Sequence, residues 1–410
     1  MAFTAAQIPD IAGRRYPKEL AGPGYPKGIP IYPEERLAEL IRKLEVQRCV
    51  LAYSDLSYQQ VMRKAAVVEA AGADFWLLGP AATMLKSARK VIAVTAVRTG
   101  CGKSQTTRFI ARLLKARGVP VVAVRHPMPY GDLRKQEVQR FASAADLTKH
   151  KTTIEEREEY EPLIEMGVPV YAGVDYGKIL RRAEREVGPR GVIIFDGGNN
   201  DFPFYKPDIH IVIADPLRAG HEVSYYPGEV NVRMADIAII NKEASASQKH
   251  IEEVRQNIRA ANQRVTIIDA DSTVRAEGEL RGKRVLVIED GPTLTHGGMA
   301  FGAGTVAAKQ AGAVIVDPRP FLQGELKAVY ARFPHLGTVV PAMGYTAREL
   351  RELEQLIARV PCDVVVAGTP IDLRRVIRVK KPVVRIRYEL AARGPQLERA
   401  VAALLRKRRR

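Results

Sequence analysis

The chain has 410 residues, 46% of them hydrophobic, with 64 Lys and Arg against 46 Asp and Glu and a formal net charge of +18. That length allows roughly two to three domains with cores of their own, and the three widely spaced cysteines, Cys49, Cys101 and Cys362, exclude a small disulfide-stapled module. No run approaches the ~20 apolar residues of a membrane helix, and the opening residues lack the basic-then-apolar layout of a secretory signal, so a cytoplasmic protein with no membrane partner is expected.

The basic surplus has two readings, a nucleic-acid partner or a surface suited to anionic metabolites. The cations are spread along the chain beside acids, as in Arg348-Glu349-Leu350-Arg351. No DNA- or RNA-binding motif accompanies them, so nucleic acid is not expected.

Strand-like runs alternate with helical ones throughout, which predicts an α/β fold with parallel sheets. Three blocks separate. Residues 1–88 read as an incomplete Rossmann-like α/β block, with a helix after Pro33, strands near 49–53 and 75–78, and a helix at 57–71 between them. Residues 89–275 carry strands expected at 91–96, 119–124, 168–172, 191–195, 209–214, 236–240 and 265–268. Residues 276–410 form a C-terminal α/β domain with strands at 285–288, 313–316, 339–340, 364–366 and 383–386.

The apolar run Val91-Ile92-Ala93-Val94-Thr95 feeds Ala96-Val97-Arg98-Thr99-Gly100-Cys101-Gly102-Lys103-Ser104, and a helix is predicted over 105–117. Strand, glycine turn and helix are the context of a phosphate-binding P-loop. Glycines let main-chain amides approach phosphate, and the helix N-terminus adds partial positive charge. Lys103 is expected on the β- and γ-phosphates and Ser104 on Mg²⁺. Thr99, Gly100, Cys101, Gly102 and Gln105 complete the loop. Val97 stands where the usual spacing has a glycine, and the loop resembles the deviant P-loop of division-site and partition ATPases. Arg98 then occupies the place of the signature lysine. It either bridges phosphates, across a dimer interface, or is a surface arginine at a loop tip.

Further candidates lie at strand ends, where open α/β sheets bind ligands. Asp196, after Val192-Ile193-Ile194-Phe195, is the acid expected to hold Mg²⁺ through water. Asn199, Asn200 and Asp201 follow and can position water or substrate. Arg125 and His126 suit an anionic substrate, and Asp132 is a possible second metal partner; the same stretch also reads as an ordinary Pro-rich loop. Arg218 and His221 either touch phosphate or belong to a loop network. Asn241-Lys242 resembles the N-K-x-D base-reading loop of GTPases, but Ala244 stands where the guanine-reading acid belongs, which favours ATP over GTP. Thr153 and Glu156 fit a capping box ahead of a solvated acidic helix, with a metal or substrate lid as the alternative. Thr293, Thr295 and His296 sit in a Gly- and hydroxyl-rich stretch that reads either as a cradle for a second phosphate group, with His296 as acid/base or anion contact, or as a plain loop.

Together the segments 94–104, 125–132, 196–201 and 289–298 resemble the family of cyclic 2,3-diphosphoglycerate synthetase-like proteins, also described as predicted GTPases. The resemblance implies ATP-driven chemistry on a small phosphorylated anionic substrate. Members of that family usually begin with a further strand and glycine-rich turn ahead of the segment matching Met1, which this sequence lacks. Two functions are weighed: an ATP-dependent ligase or phosphoryl-transfer enzyme, with Lys103, Arg98 and Asp196 catalytic, and a nucleotide-switched NTPase acting on a partner protein. A homodimer is expected in either case.

Overall fold

The apolar runs become strands of one continuous sheet in the computed structural model, which describes residues 1–5, 11–128, 131–198, 201–342 and 347–407. Among these residues the sheet has thirteen strands. In chain order they are β1 (Lys90–Ala96), β2 (Val121–Arg125), β3 (Gln139–Phe141), β4 (Val170–Ala172), β5 (Val192–Asp196), β6 (Ile209–Ala214), β7 (Ile237–Ile240), β8 (Thr266–Ala276), β9 (Arg284–Glu289), β10 (Val314–Ile315), β11 (Val340–Pro341), β12 (Val364–Gly368) and β13 (Val383–Ala392). Their spatial order is β10-β9-β12-β13-β8-β7-β6-β1-β5-β2-β4-β3, with β11 also beside β9. The central strands are buried on both faces and therefore read as unbroken apolar runs.

Two contacts in this sheet are antiparallel. One is the edge pair β3–β4. The other is the long ladder that joins the two parallel halves, running from Ala270 opposite Ala392 to Ala276 opposite Ile386. Both of its strands continue well past the ends expected at 268 and 386. Their distal parts, with Asp271, Thr273, Arg275, Arg387 and Glu389, carry no apolar run; each is a strand because the other supplies its hydrogen bonds.

The principal helices of the argument are α1 (Tyr58–Ala70), α2 (Lys103–Ala116), α3 (Ile154–Glu165), α4 (Gly291–Thr295), α5 (Ala303–Gln310) and α6 (Gln396–Arg406). Ile110, Ala111 and Leu114 of α2 lie in the same core as Leu397, Val401 and Leu404 of α6, so the end of the chain packs onto the P-loop half. Lys90, at the start of β1, donates to the carbonyls of Leu404 (2.7 Å) and Leu405 (2.8 Å).

The N-terminal block lies outside the sheet. Its strands Arg48–Val50 and Asp74–Trp76 pair in parallel around α1, which Ser57 caps through a capping box. Leu56–Ser57 pairs with Tyr225–Tyr226 and so ties the block to the loop after β6. Among the described residues no helix is long and apolar enough to cross a membrane.

The parallel halves present the carboxyl ends of β1 and β9 to one crevice, between the P-loop and the loop after β9. Ile110, fully buried between α2 and the sheet, should lose about 2–5 kcal/mol of stability as Ile110→Ala, read as a lower urea midpoint at an unchanged slope.

Candidate nucleotide-binding site

β1 ends in the turn 97–102, and α2 begins at Lys103. Gly100 and Gly102 have φ of +83° and +112°, where a side chain is strained. A Cβ on Gly102 would also lie 2.1 Å from Asn241 Nδ2 and 2.4 Å from Gln105 Nε2.

The carbonyls of the turn are occupied one after another. Arg218 donates to Thr99 O (2.8 Å), Lys242 to Gly100 O (2.6 Å) and Asn241 to Cys101 O (2.9 Å). Thr106 takes Gly102 O through its amide (3.2 Å) and its hydroxyl (3.1 Å). With the acceptors held from behind, the first-turn amides of α2 are left for an anion. Arg218 and Lys242 are anchored in turn by Asp215, at 3.1 Å and 2.8 Å. Burial alone would raise the Asp215 carboxyl, but Lys242 and Arg218 hold it below its ordinary range.

Asp196 ends β5, beside β1. One of its oxygens accepts from Lys103 Nζ at 3.1 Å, and the other pairs with Arg125 at the end of β2. Arg125 also pairs with Glu159 of α3. Burial opposes charge on Asp196, yet Arg125 and Lys103 outweigh it and keep the acid ionised. The expected metal acid is therefore adjacent to the P-loop lysine.

Arg98 is not a surface arginine. It is 7% exposed, and its guanidinium bonds Asp55, His221 Nδ1 (2.9 Å) and the His296 carbonyl (3.1 Å) while lying 3.8 Å from the Tyr225 ring centroid. Asp55 also accepts from the Thr99 hydroxyl at 2.9 Å. Arg98 thus braces the P-loop against the N-terminal block and the loop after β9, and its guanidinium is turned to its own chain. Arg218 and His221 likewise form the loop network rather than an open anion site; Arg218 further donates to Gly297 O at 2.7 Å and to the Cys101 thiol at 3.2 Å.

Other candidates are dispersed. Arg125 is fully buried, so it presents no surface to a substrate. His126 faces Asp201 at 2.9 Å, and the Gly198 backbone packs on it. Asp132 pairs with Arg134 in a surface hollow with Arg15 and Lys18, away from the P-loop. Asn199 and Asn200 lie outside the described residues. In the loop after β9, Thr293 reaches Gly100, 3.0 Å from where a Cβ would stand. Thr295 bonds Gly291 O (3.0 Å) and His296 Nδ1 (3.2 Å), and neither Thr295 nor His296 lines the cleft. Ser104 and Gln105 do line it, and Gln105 is tied to Ser272 at 3.1 Å.

The wall facing the P-loop is acidic, formed by Glu155, Glu158 and Glu159 of α3, by Glu289 at the end of β9 and by Asp290 just after it. The capping box Thr153–Glu156 is present as expected, but Glu156, Glu158 and Glu161 are buried rather than solvated. Burial pushes Glu156 up to about 7. Glu158 is raised well above its ordinary value by burial and by the Asp290 carboxyl it faces, and Asp290 is raised by its own burial. Glu289 accepts from the amides of Gly302 (3.0 Å), Gly304 (3.0 Å) and Thr305 (2.7 Å) and from the Thr305 hydroxyl (2.7 Å). It is a strut to α5 and has no free oxygen. Among the described residues no group of three or more His, Cys, Asp or Glu could hold a metal unaided.

Sequence reasoning passed over Asp55, Asp215 and Asp290. The last two stand at strand ends, a signal that had already pointed to Asp196. Asp55 had no signal, since only the tertiary fold brings it to the P-loop.

No family model matches the chain. It is 57% identical over 402 residues to the arginine synthetase ArcE of Thermococcus kodakarensis, covering 97% of this chain and 89% of that protein. It is 24% identical over 303 residues to a cyclic 2,3-diphosphoglycerate synthetase of Rubrobacter xylanophilus, covering 67% and 68% of the two chains. Among solved structures, LpxK of Aquifex aeolicus in complex with ATP superposes with a TM-score of 0.46 at 12% identity, over 90% of this chain and 99% of that one.

Gly102→Ala should weaken ATP binding about tenfold or more in calorimetry, because left-handed backbone alone costs an alanine about 1–2 kcal/mol. A pH effect follows from His210, buried on β6 against the Thr95 hydroxyl at 2.9 Å and held down to about 4 by burial. An unfolded histidine titrates near ~6.5, so the unfolded chain takes up a proton that the folded chain refuses. The His210 contribution is full above that value and lost as pH falls toward 4. His210→Gln should therefore reduce the drop in urea midpoint between pH 7 and pH 5 relative to the unsubstituted protein.

Proposed function

The chain belongs to the family of the arginine synthetase ArcE, and from that premise we propose that it is an ATP-dependent synthetase whose product is arginine. One observation carries the reading: a triphosphate-binding turn and the carboxyl groups of Glu158, Glu159 and Asp290 face each other across one cleft. Such a wall attracts an ammonium or guanidinium nitrogen and repels a phosphorylated acid.

The bond to be made is a C–N bond of the guanidinium. The γ-phosphoryl group passes from ATP to the oxygen of a ureido group, releasing ADP. Ammonia then adds to the ureido carbon, and phosphate leaves carrying that oxygen. Ureido amino acid, ATP and ammonium enter; arginine, ADP, phosphate and one proton leave. The first-turn amides of α2 and Lys103 hold the β- and γ-phosphates and stabilise the charge that develops on transfer. Asp196, kept ionised by Arg125 and Lys103, fixes the lysine's position. The Glu158–Asp290 pair, both members raised by burial, takes the proton that ammonium must lose before it attacks. A magnesium ion fits as the companion of the triphosphate, held by Ser104 and, through water, by Asp196, where it would neutralise charge on the transferring group.

The cyclic 2,3-diphosphoglycerate synthetase at 24% identity supports a second reading, phosphoryl chemistry on a phosphorylated acid. Against it, Arg125, Arg218 and His126, the groups expected to bind such an acid, are engaged in internal bonds.

The test is incubation with ATP, Mg²⁺, ammonium and citrulline, the ureido counterpart of arginine, with GTP in place of ATP as a control. Arginine and ADP should form in equal amounts. Lys103→Ala should lower kcat by about 10²-fold or more. Absence of arginine would sink the reading, and a cyclic phosphoanhydride formed from 2,3-diphosphoglycerate would select the second one.

A further inference from the structure

A second cavity, of ≈ 760 Å³, lies between α2, the end of α3 and the β8–β13 ladder. It shares Val274, Pro370 and Tyr388 with the nucleotide cleft, so these side chains form a common wall. Val274 and Tyr388 are opposite each other in the ladder. The nucleotide cleft is walled by acids, whereas this cavity is lined by four arginines and three glutamates.

Those charges do not cancel. Arg112 pairs with Glu389 at 2.6 Å. Arg387 pairs with Glu277 at 2.8 Å and with Glu165 at 3.6 Å. Among the described residues neither Arg108 nor Arg275 makes an ion pair within 4 Å, although Glu389 lies near the first and Glu277 near the second. Arg108 is half-buried on α2, and its Nη2 donates to the Tyr388 carbonyl at 2.8 Å while the guanidinium lies 5.3 Å from the Tyr388 ring centroid. Burial lowers its affinity for its proton, and a cation so placed is stabilised by an anion brought from outside. A guanidinium fork matches a carboxylate with two parallel hydrogen bonds. Glu389 and Glu165 already pair with Arg112 and Arg387, and Glu165 also with Arg375 at 3.4 Å, so the walls carry both signs of charge.

We propose that this cavity binds the α-amino-carboxylate end of the amino-acid substrate, with Arg108 and Arg275 on the carboxylate, while the side chain reaches past Tyr388 to the acidic wall of the nucleotide cleft. The inference rests on the reading of the protein as an arginine-forming synthetase. It assigns two charged groups at one end of the substrate to the ladder and the reacting end to the P-loop. Holding both ends converts encounter into orientation, which is where positioning residues act.

Kinetics of Arg108→Gln and Arg275→Gln test it, with citrulline and with an alkylurea of equal chain length that lacks both charged groups. For citrulline, KM should rise about tenfold or more in Arg108→Gln, the effect of losing one charge-assisted pair, and rise also in Arg275→Gln. KM for ATP should stay as it is, and kcat/KM for the alkylurea should not respond to either substitution. An unchanged citrulline KM, or an equal loss on the alkylurea, overturns the site while leaving the arginine reading intact. Arg275 is exposed on a strand, so its variant decides the matter if Arg108→Gln does not fold. If the unsubstituted protein forms no arginine, the reading fails separately, and calorimetry with L-arginine judges the cavity: binding weakened by Arg275→Gln keeps it, and absence of binding to the unsubstituted protein removes it.

Discussion

Three successive carbonyls of the glycine turn, at Thr99, Gly100 and Cys101, each accept a hydrogen bond from a side chain that follows β6 or β7. A grip on three consecutive oxygens fixes the orientation of the turn before any ligand arrives, with the Cys101 amide bonded back to the Arg98 carbonyl at 3.4 Å. The grip in turn depends on Asp215, whose single carboxylate neutralises both Arg218 and Lys242. Without it the two cations would repel each other behind the loop. Preorganisation of this kind is what lets backbone dipoles stabilise phosphate without reorganising during the reaction. The N-terminal block adds a second clamp through Asp55, which binds Arg98 and Thr99.

Charge in the interior is organised in short alternating chains rather than isolated pairs. Lys103, Asp196, Arg125 and Glu159 run in series from the P-loop to α3. Each buried ion would be costly alone, and the series keeps every member compensated. The acidic wall across the cleft breaks this pattern. Glu158 and Asp290 are two acids facing each other, and burial raises both above their ordinary values. Structural economy alone would not place them beside a triphosphate site. Their presence there is what separates the proposed nitrogen chemistry from that of a phosphorylated acceptor.

The parallel strands and the P-loop were legible because each is a local pattern. Buried strands announce themselves as apolar runs, and glycine turn, lysine and hydroxyl must be contiguous to act. The antiparallel ladder was only half legible. Residues 271–276 and 387–392 alternate polar, charged and apolar groups, and nothing in either segment points to its partner more than 110 positions away. The acidic run at 155–161 was visible, but its burial was not: a capped helix rich in glutamate reads as solvated until the loop after β9 and Thr369 close over it. Arg98 shows the same limit. Its position in the turn was evident, while its orientation depended on Asp55, His221 and Tyr225, which come from two other parts of the chain.

By itself, then, the sequence determined the class of fold, the strand–turn–helix that receives a polyphosphate, and the acid beside it. These rest on interactions within a few residues or on the burial of contiguous apolar runs. Only the tertiary structure decided which candidate arginines are struts, which acids face the nucleotide, and how a second cavity adjoins the first. Those outcomes depend on pairing between segments distant in the chain, and a side chain's role is set by the charges and donors it meets there, which its own neighbours in sequence do not encode.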